Sequence, residues 1–337
     1  MPQRKALLRV LVQGKRETRS PAEQVSGLPR SHARVVVINV ATDLTTALAI
    51  ASARRYVDAP VLLINCDPSD TSRRLMDRLA SRLQFDIVEA PRQAHGRILD
   101  WVFRSIPSDI VVLLDSDAEI RSDKFVRRRL KLFKNRQIFG AGFTLVGPSW
   151  LPKLDAESGG LLMEQMWTPC LFLRRSYVVE ALEAGVSFCY QAVYNDIRWS
   201  PTASRLLAKR FDNEWVESSR SLQRLPAGLR KRLRTATFPR LRWARRSFRG
   251  FRPNYVIFDT GAAIFEYCRY QRYWVFVGSN IRLLDDDEVY HYGGVTRDGL
   301  DTGLVRSKRR TDAIQRHARL RLRAVYGIDW DELIAGT

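Results

Sequence analysis

Short apolar runs alternate with longer mixed stretches along the first third of the chain. Apolar runs bounded by turn-forming residues are typical of strands buried on both faces. The longer stretches are typical of helices, and Thr42 or Asp43 is the predicted N-cap of the first one. The predicted strands are residues 34–39, 60–65, 85–89 and 109–115, and the predicted helices are residues 44–56, 72–83 and 96–105. This alternation predicts an α/β fold with a Rossmann-type, mostly parallel sheet flanked by helices.

Beyond Arg121 the pattern becomes mixed. Further helices are predicted at residues 123–134, 176–184 and 307–326, and further strands at residues 138–143, 167–173 and 274–284. Residues 255–259 lead into another helix, residues 147–160 are loop-like, and residues 285–288 predict a turn. Residues 1–33 are polar and basic and predict a weakly ordered leader with one short helix near residues 6–12. After this leader, the pattern predicts a main domain over residues 34–300 and then a basic C-terminal helix in residues 301–337.

The charge of the chain implies an anionic partner. Its 337 residues carry a formal net charge of +20, and an excess of this size suits nucleic acid, an acidic membrane surface or phosphorylated substrates. Residues 205–252 hold fifteen basic and three acidic residues, interleaved with aromatic ones. This basic insertion suits an anionic membrane surface or a lipid-linked acceptor. A solvated face or a protein contact is the alternative, and nucleic acid is the least favoured partner.

The cysteines and the hydropathy of the chain indicate in which cellular compartment the protein is expected. Cys66, Cys170, Cys189 and Cys268 show no C-x-x-C spacing, which argues against structural zinc and disulfides and favours a reducing cytosol. No apolar run reaches the ~18–20 residues of a membrane-spanning helix, and no secretory signal is evident. We expect a cytoplasmic protein, with a peripheral position on the inner face of a membrane left open. The pattern indicates no oligomeric state.

Two carboxylates follow one strongly apolar strand. Residues 111–114 are all apolar, and Asp115-Ser116-Asp117 comes directly after them. Alternate strand residues point the same way, so Asp115 and Asp117 are expected to project to one side. Two hard oxygen ligands suit Mg²⁺ or Mn²⁺, and through the ion a diphosphate. A polar strand-to-loop turn is the simpler alternative.

Other polar strand ends are expected at the same edge of the sheet. Residues 39–43 and 67–70 follow the first two predicted strands, as residues 115–117 follow a later one. Ligands of parallel α/β sheets bind outside the carboxyl ends of the strands. Three such ends make a nucleotide-sized site plausible, and their acids favour a metal-bridged diphosphate or ribose hydroxyls over a bare phosphate.

Several common motifs are missing. The chain has no G-x-x-x-x-G-K-[ST] and no G-x-G-x-x-G after its first strand, which argues against a P-loop NTPase and a dinucleotide-binding dehydrogenase. It has no G-x-S-x-G elbow of an α/β-hydrolase.

The motifs that are present, in their order, resemble the nucleotide-binding half of GT-A-fold glycosyltransferases, particularly family 2. The matching segments are Asn39-Val-Ala-Thr42, Asn65-Cys-Asp67-Pro-Ser-Asp70, His95-Gly96-Arg97 and Asp115-Ser-Asp117. The resemblance assigns residues 34–120 to nucleotide binding and residues 121–300 to the acceptor. It implies nucleotide contacts by Asn39, Thr42, Asp67, His95, Gly96 and Asp115. Whether Asp67 or Asn65 meets the base stays open.

The second half continues the resemblance. Asp259-Thr-Gly resembles the acid-led helix that carries the acceptor-activating base of the family, and His291-Tyr-Gly-Gly resembles the His turn that completes its metal site. The resemblance therefore implies Asp259 as general base and His291 as a ligand beside Asp115 and Asp117. The simpler alternatives are a helix N-cap for Asp259 and a surface histidine for His291.

The implied activity is transfer of a sugar from a nucleotide-diphosphate donor to a hydroxyl of a glycan, a lipid-linked acceptor or a cell-envelope precursor. It would depend on Mn²⁺ or Mg²⁺ and invert the anomeric carbon. Three alternatives stay open: a basic nucleic-acid-binding protein, an inactive GT-A-like fold and a haloacid-dehalogenase-type phosphatase. The last also uses an Asp-x-Asp strand, but normally on its first strand and with Thr or Val two residues after the second Asp, where this chain has Glu119.

Overall fold

The structure is a computed structural model of the chain. It describes residues 19–67, 69–93, 95–147, 163–189, 191–194, 255–258, 260–280, 285–292 and 308–335. Several sequence-based expectations lie wholly or partly outside the described residues: the short helix at residues 6–12, the loop after residue 147, the basic insertion 205–252, the general base Asp259, the end of the strand predicted at residues 274–284 and the glycines that follow Tyr292.

Helices and strands alternate through the first half of the described chain, as the apolar pattern predicts. The helices are α1 (Pro21–Ser26), α2 (Asp43–Tyr56), α3 (Asp70–Leu83), α4 (His95–Ser105), α5 (Asp123–Leu132), α6 (Arg175–Glu183), α7 (Ala262–Glu266, continued by a π-helical turn at Tyr267–Gln271), α8 (Lys308–Tyr326) and α9 (Trp330–Ala335). The strands are β1 (Ser31–Asn39), β2 (Val61–Asn65), β3 (Asp86–Glu89), β4 (Ser108–Asp115), β5 (Ala118–Ile120), β6 (Ile138–Gly147), β7 (Met163–Met166), β8 (Cys170–Arg174), β9 (Gln191–Tyr194), β10 (Tyr255–Phe258), β11 (Val275–Asn280) and β12 (Val289–His291).

Eight of these strands form one sheet in the described part of the chain. The order is β11-β6-β8-β4-β1-β2-β3, and β7 pairs with β6. Strand β1 is parallel to β2 and β4, β2 is parallel to β3, and β6 is parallel to β11. Strand β8 runs antiparallel between β4 and β6. The predicted α/β class, with a mostly parallel sheet flanked by helices, is confirmed.

Alternate residues of β1 supply two separate cores. Val35 and Val37 pack with apolar residues of α2, α3 and α8. Val36 and Ile38 pack on the opposite face with residues of α1, α4, α6 and α7. Full burial of one such side chain stabilises the fold by about 1.5–3 kcal/mol. A strand covered on both faces must be apolar throughout, which explains why the pattern predicts it so clearly.

The strand predicted at residues 167–173 differs most in kind from the structure. It begins only at Cys170, and a separate strand, β7, ends at Met166. Pro169 has no N–H to donate to a sheet ladder, so the chain between the two strands forms an irregular connection. The carbonyl of Pro169 still accepts a hydrogen bond from Asp115 N at 3.0 Å.

Residues 20–33 include ordered elements of the fold. Helix α1 starts at a capping box in which Glu23 N donates to Ser20 Oγ and Ser20 N donates to Glu23 Oε2. Val25 of this helix is fully buried. The last part of the segment expected to be a weakly ordered leader therefore packs on the core, through Val25 and the partly buried Leu28.

The basic C-terminal helix forms as predicted and packs on the domain. Ala318 and Leu322 of α8 are fully buried in the core that contains α2. Its exposed face still carries Arg316, Arg319 and Arg323. Among the helices that the structure describes, none is long and apolar enough to cross a membrane.

Candidate functional site

The carboxyl ends of three parallel strands meet at one edge of the sheet. Asn39 of β1 lies beside Asn65 of β2, and Ile38 lies beside Asp115 of β4. The register therefore brings together the polar strand ends that the sequence predicted to be neighbours. Their side chains, however, fall into two different kinds of environment.

Asn39 and Thr42, predicted as nucleotide contacts, are buried. Asn39 Nδ2 donates to Asp43 Oδ1 at 2.7 Å and to Asn65 Oδ1 at 3.0 Å. Asn39 Oδ1 accepts hydrogen bonds from Thr42 N at 3.1 Å and from Thr46 Oγ1 at 3.0 Å. Both ends of the amide are thus used inside the protein, which satisfies groups that would be costly to bury alone. The network joins the ends of β1 and β2 to the start of α2.

Asp67, the predicted contact at the second strand end, is half-buried. Its Oδ1 accepts a hydrogen bond from Ser69 N at 2.9 Å. Burial raises the pKa of Asp43 and of Glu89, and the charge of Asp67 adds to both shifts. This part of the edge therefore offers several carboxylate oxygens that can accept hydrogen bonds from hydroxyl or amide groups of a ligand.

Asp115, Asp117 and His291 form one cluster of potential metal ligands. Each offers one ligand atom, and the three atoms lie within 4.8 Å of one another. His291 Nε2 lies 3.2 Å from Asp117 Oδ1. Asp117 is 4% exposed, and Asp115 and His291 are half-buried. The structure thus brings together all three residues that the sequence predicted as metal ligands.

The two aspartates converge for a reason that differs from the sequence-based argument. Strand β4 ends at Asp115, and Asp117 lies in the turn before β5 rather than in the same strand. Ser116 between them turns inward and accepts a hydrogen bond from Thr42 Oγ1 at 2.9 Å. This anchor fixes the turn while the carboxylates on either side reach the cluster.

A short antiparallel pairing delivers the histidine. His291 lies opposite Ala118 in the ladder of β12 with β5. Tyr292 N also donates to the carbonyl of Asp117 at 2.9 Å. The sequence separates Asp117 from His291 by more than 170 positions, and this ladder places them in contact.

The electrostatic setting of the cluster favours a cation. Burial raises the pKa of Asp115, and the neighbouring Asp117 carboxylate raises it further, whereas His95 and His291 act to lower it. Two carboxylates and one imidazole in this setting are a donor set that fits Mn²⁺ or Mg²⁺. A divalent ion would offset the negative charge of the two carboxylates, which burial makes costly.

His95 and Gly96 open helix α4 beside this cluster but have different roles. His95 is exposed and lines a small pocket together with Asp115 and Thr168. Gly96 is buried, and a Cβ atom there would lie 2.6 Å from Cys189 N and 2.7 Å from the carbonyl carbon of Phe188. Gly96 thus permits a close approach of two backbone segments. His95 can meet a ligand, and Gly96 acts through packing.

Two residues near the cluster were not singled out from the sequence. The ring of Trp167 meets that of His291 edge-on, with centroids 5.1 Å apart, and Thr168 lines the pocket beside Asp115. Both lie in the irregular connection between β7 and β8. Their proximity comes from the pairing of β8 with β4, and no motif or spacing in the sequence signals it.

No protein-family model matches the chain, and no curated protein matches it by sequence. Among solved structures, the chain is similar to glucosyl-3-phosphoglycerate synthase from Mycobacterium tuberculosis in complex with Mn²⁺, UDP and glucosyl-3-phosphoglycerate. That match has 18% identity and a TM-score of 0.33, and it covers 49% of this chain and 64% of the synthase chain.

A second similar structure is TarS from S. aureus, residues 1–349, in complex with UDP-GlcNAc. It has 9% identity and a TM-score of 0.34, and it covers 44% of this chain and 47% of the TarS chain. The chain thus spans less than two thirds of the length of each of these two proteins.

Proposed function

We propose that the protein is a glycosyltransferase that moves a sugar from a nucleotide-diphosphate donor to an acceptor hydroxyl, with Mn²⁺ or Mg²⁺ as cofactor. The observation that carries the proposal is the convergence of Asp115, Asp117 and His291 within 4.8 Å at the carboxyl end of a parallel strand. This is the edge where ligands of parallel α/β sheets bind. The order of the motifs along the chain agrees with this assignment.

Each residue of the cluster has a defined part in the proposal. Asp115, Asp117 and His291 would hold the ion, and His95 at the start of α4 would line the donor site next to Asp115. When bound, a divalent ion neutralises the charge that develops on a departing diphosphate. Asp67, with Asp43 and Glu89 nearby, would accept hydrogen bonds from the hydroxyls or the base of the nucleotide.

The acceptor side of the proposal rests on the sequence. Asp259 would take the proton of the acceptor hydroxyl, and direct attack opposite the leaving diphosphate would invert the anomeric carbon. The acceptor would be a glycan, a lipid-linked sugar or a cell-envelope precursor. The basic insertion 205–252 would contact an anionic membrane surface from the cytoplasmic side.

A panel of nucleotide-diphosphate sugars tests the central proposal. We expect at least one of them, together with Mn²⁺ or Mg²⁺, to raise the melting temperature and to be hydrolysed or transferred. Asp117→Ala should remove both effects. Asp109→Ala is the matched control, because Asp109 lies on the same strand but is exposed and pairs with Arg30. The proposal fails if no nucleotide diphosphate binds with either ion, or if Asp117→Ala changes nothing.

A second experiment addresses the general base. Asp259→Asn should keep donor binding but abolish transfer, because the amide cannot accept the acceptor proton. Unchanged transfer would remove Asp259 from this role. Strongly salt-dependent binding of RNA without any binding of nucleotide sugar would favour a nucleic-acid-binding protein instead.

A further inference from the structure

A fully buried carboxylate lies two residues after Asp117. Glu119, in β5, is 0% exposed, and charged groups are rarely buried unless they are paired. Its Oε2 accepts a hydrogen bond from Arg121 Nε at 3.0 Å. Its Oε1 accepts hydrogen bonds from Arg321 Nε at 3.1 Å and from Tyr326 Oη at 2.8 Å. The proposed sugar-transfer chemistry makes no use of this carboxylate.

The same carboxylate contacts the strand that carries His291. Tyr292, the next residue, donates from its hydroxyl to Glu119 Oε2 at 3.3 Å. Tyr290, the preceding residue, lies directly opposite Glu119 in the β5–β12 ladder. The guanidinium of Arg121 lies over the ring of Tyr290, 4.3 Å from its centroid. Both neighbours of the histidine are therefore held by Glu119 or by one of its partners.

Helix α8 covers this arrangement from the other side. Its Arg321 and its last residue, Tyr326, both bond to Glu119. The ring of His317 stacks on Tyr290, with centroids 5.8 Å apart and planes 18° apart. Burial of Ala318 and Leu322 fixes the helix on the core. The C-terminal helix thus contacts the strand that carries the metal-ligand histidine.

We infer that Glu119 and Arg321 are positioning residues of the metal centre, which hold β12 so that the imidazole of His291 faces Asp117. A buried ion pair is a poor source of stability compared with well-packed apolar residues, but its hydrogen bonds have fixed directions. Groups that orient metal ligands without touching the ion can change metal affinity by about 10–100-fold. The inference rests on the metal role of the cluster in the proposed function.

Mn²⁺ binding by the full chain tests the inference, with Arg321→Met as the main variant. We expect its Mn²⁺ dissociation constant, measured by electron paramagnetic resonance, to rise about 10-fold or more. Pulsed spectra should lose the nitrogen coupling that a bound imidazole gives. Arg319→Met is the matched control, since Arg319 lies on the same helix in an exposed pair with Asp331. It should leave both readouts unchanged.

A double-variant cycle separates positioning from a general loss of stability. In the His291→Ala background, Arg321→Met should cause little further loss of Mn²⁺ affinity, because both changes act through the same imidazole. Fully additive losses would overturn the inference. If Arg321→Met does not fold, Tyr326→Phe decides, since it removes one hydroxyl on Glu119. A weaker Mn²⁺ affinity and a reduced nitrogen coupling support the inference, and unchanged values overturn it.

The outcomes also separate this inference from the proposed function. Absence of Mn²⁺ binding by the wild-type chain would overturn the metal role of the cluster and the inference together. Equal Mn²⁺ affinity and equal nitrogen coupling in the wild type and in folded Arg321→Met would overturn the inference alone.

Discussion

Asp115 and Glu119 are two acidic residues four positions apart, and the protein surrounds them in opposite ways. Asp115 lies beside a second carboxylate, and burial together with that neighbour raises its pKa. Burial alone would also raise the pKa of Glu119, but hydrogen bonds from Arg321 and Tyr326 and the charge of Arg121 outweigh it and lower the pKa.

The difference distinguishes a buried acid whose charge is compensated by arginines of the same chain from one that lies beside a like charge. The negative charge of Glu119 is compensated by arginines of the same chain, so nothing further is required there. Asp115 instead lies next to a like charge, the carboxylate of Asp117, which raises its pKa, while His95 and His291 act to lower it. A bound cation would compensate the charges of Asp115 and Asp117, whereas the charge of Glu119 is already compensated within the chain.

The largest expected effect is a change in the free energy of unfolding on substitution of Glu119. Glu119→Gln should lower the free energy of unfolding by about 3–5 kcal/mol, because it leaves the half-buried guanidinium groups of Arg121 and Arg321 without their buried counter-charge. Denaturant unfolding of the metal-free protein measures it. A loss below about 1 kcal/mol would mean that the ion pairs of Glu119 contribute no more to stability than exposed ion pairs do.

Asp115→Asn should have the opposite sign in the same measurement. It removes a carboxylate that is unfavourable when ionised, so the metal-free protein should become slightly more stable at neutral pH. Asp115→Asn should also abolish the stabilisation that Mn²⁺ gives the wild-type protein. That stabilisation is about 2.7 kcal/mol when the free Mn²⁺ concentration is 100 times the dissociation constant. Retained stabilisation by Mn²⁺ would remove Asp115 from the ligand set.

The pH dependence of stability sharpens the comparison further. In the folded state Asp115 holds its proton to a higher pH than in the unfolded chain, so its contribution to stability falls as pH rises from about 3.8 through the raised pKa. The contribution of Glu119 is present above about pH 4.5 and is lost as pH falls through its lowered pKa. Unfolding measured in EDTA between about pH 3 and about pH 8 should show the first slope disappear in Asp115→Asn and the second in Glu119→Gln.

The smallest effect on stability is expected at an exposed ion pair, which serves as a reference for the other variants. Arg319 and Asp331 form an ion pair at 3.0 Å with side chains that are 45% and 72% exposed. Asp331→Asn should change the free energy of unfolding by about 0–1 kcal/mol, because water screens the exposed pair. High salt should reduce even this effect, whereas the loss in Glu119→Gln should persist.

Local pattern sufficed for much of the fold. The strands β1, β2 and β4 are covered on both faces, so their residues must be apolar wherever these strands lie in the sheet. The α/β class follows from the alternation of these strands with helices. Asp115 and Asp117 were predicted as metal ligands because they follow an apolar strand, and His291 because its His-Tyr-Gly-Gly turn resembles a known motif. The strand boundary at Pro169 was missed, although a proline is a local signal that interrupts a sheet ladder.

The sequence by itself therefore determined the class of fold, most of its elements and the identity of three potential metal ligands. Only the tertiary structure decided what each polar residue does. It buried Asn39 and Thr42 in a closed network, used Gly96 for a close backbone contact, and brought His291 to Asp117 through the pairing of β12 with β5. It also compensated Glu119 with Arg321 from more than 200 residues away. The physical reason is that burial and neighbouring charge set the behaviour of a polar group, and both depend on contacts between residues far apart in the chain.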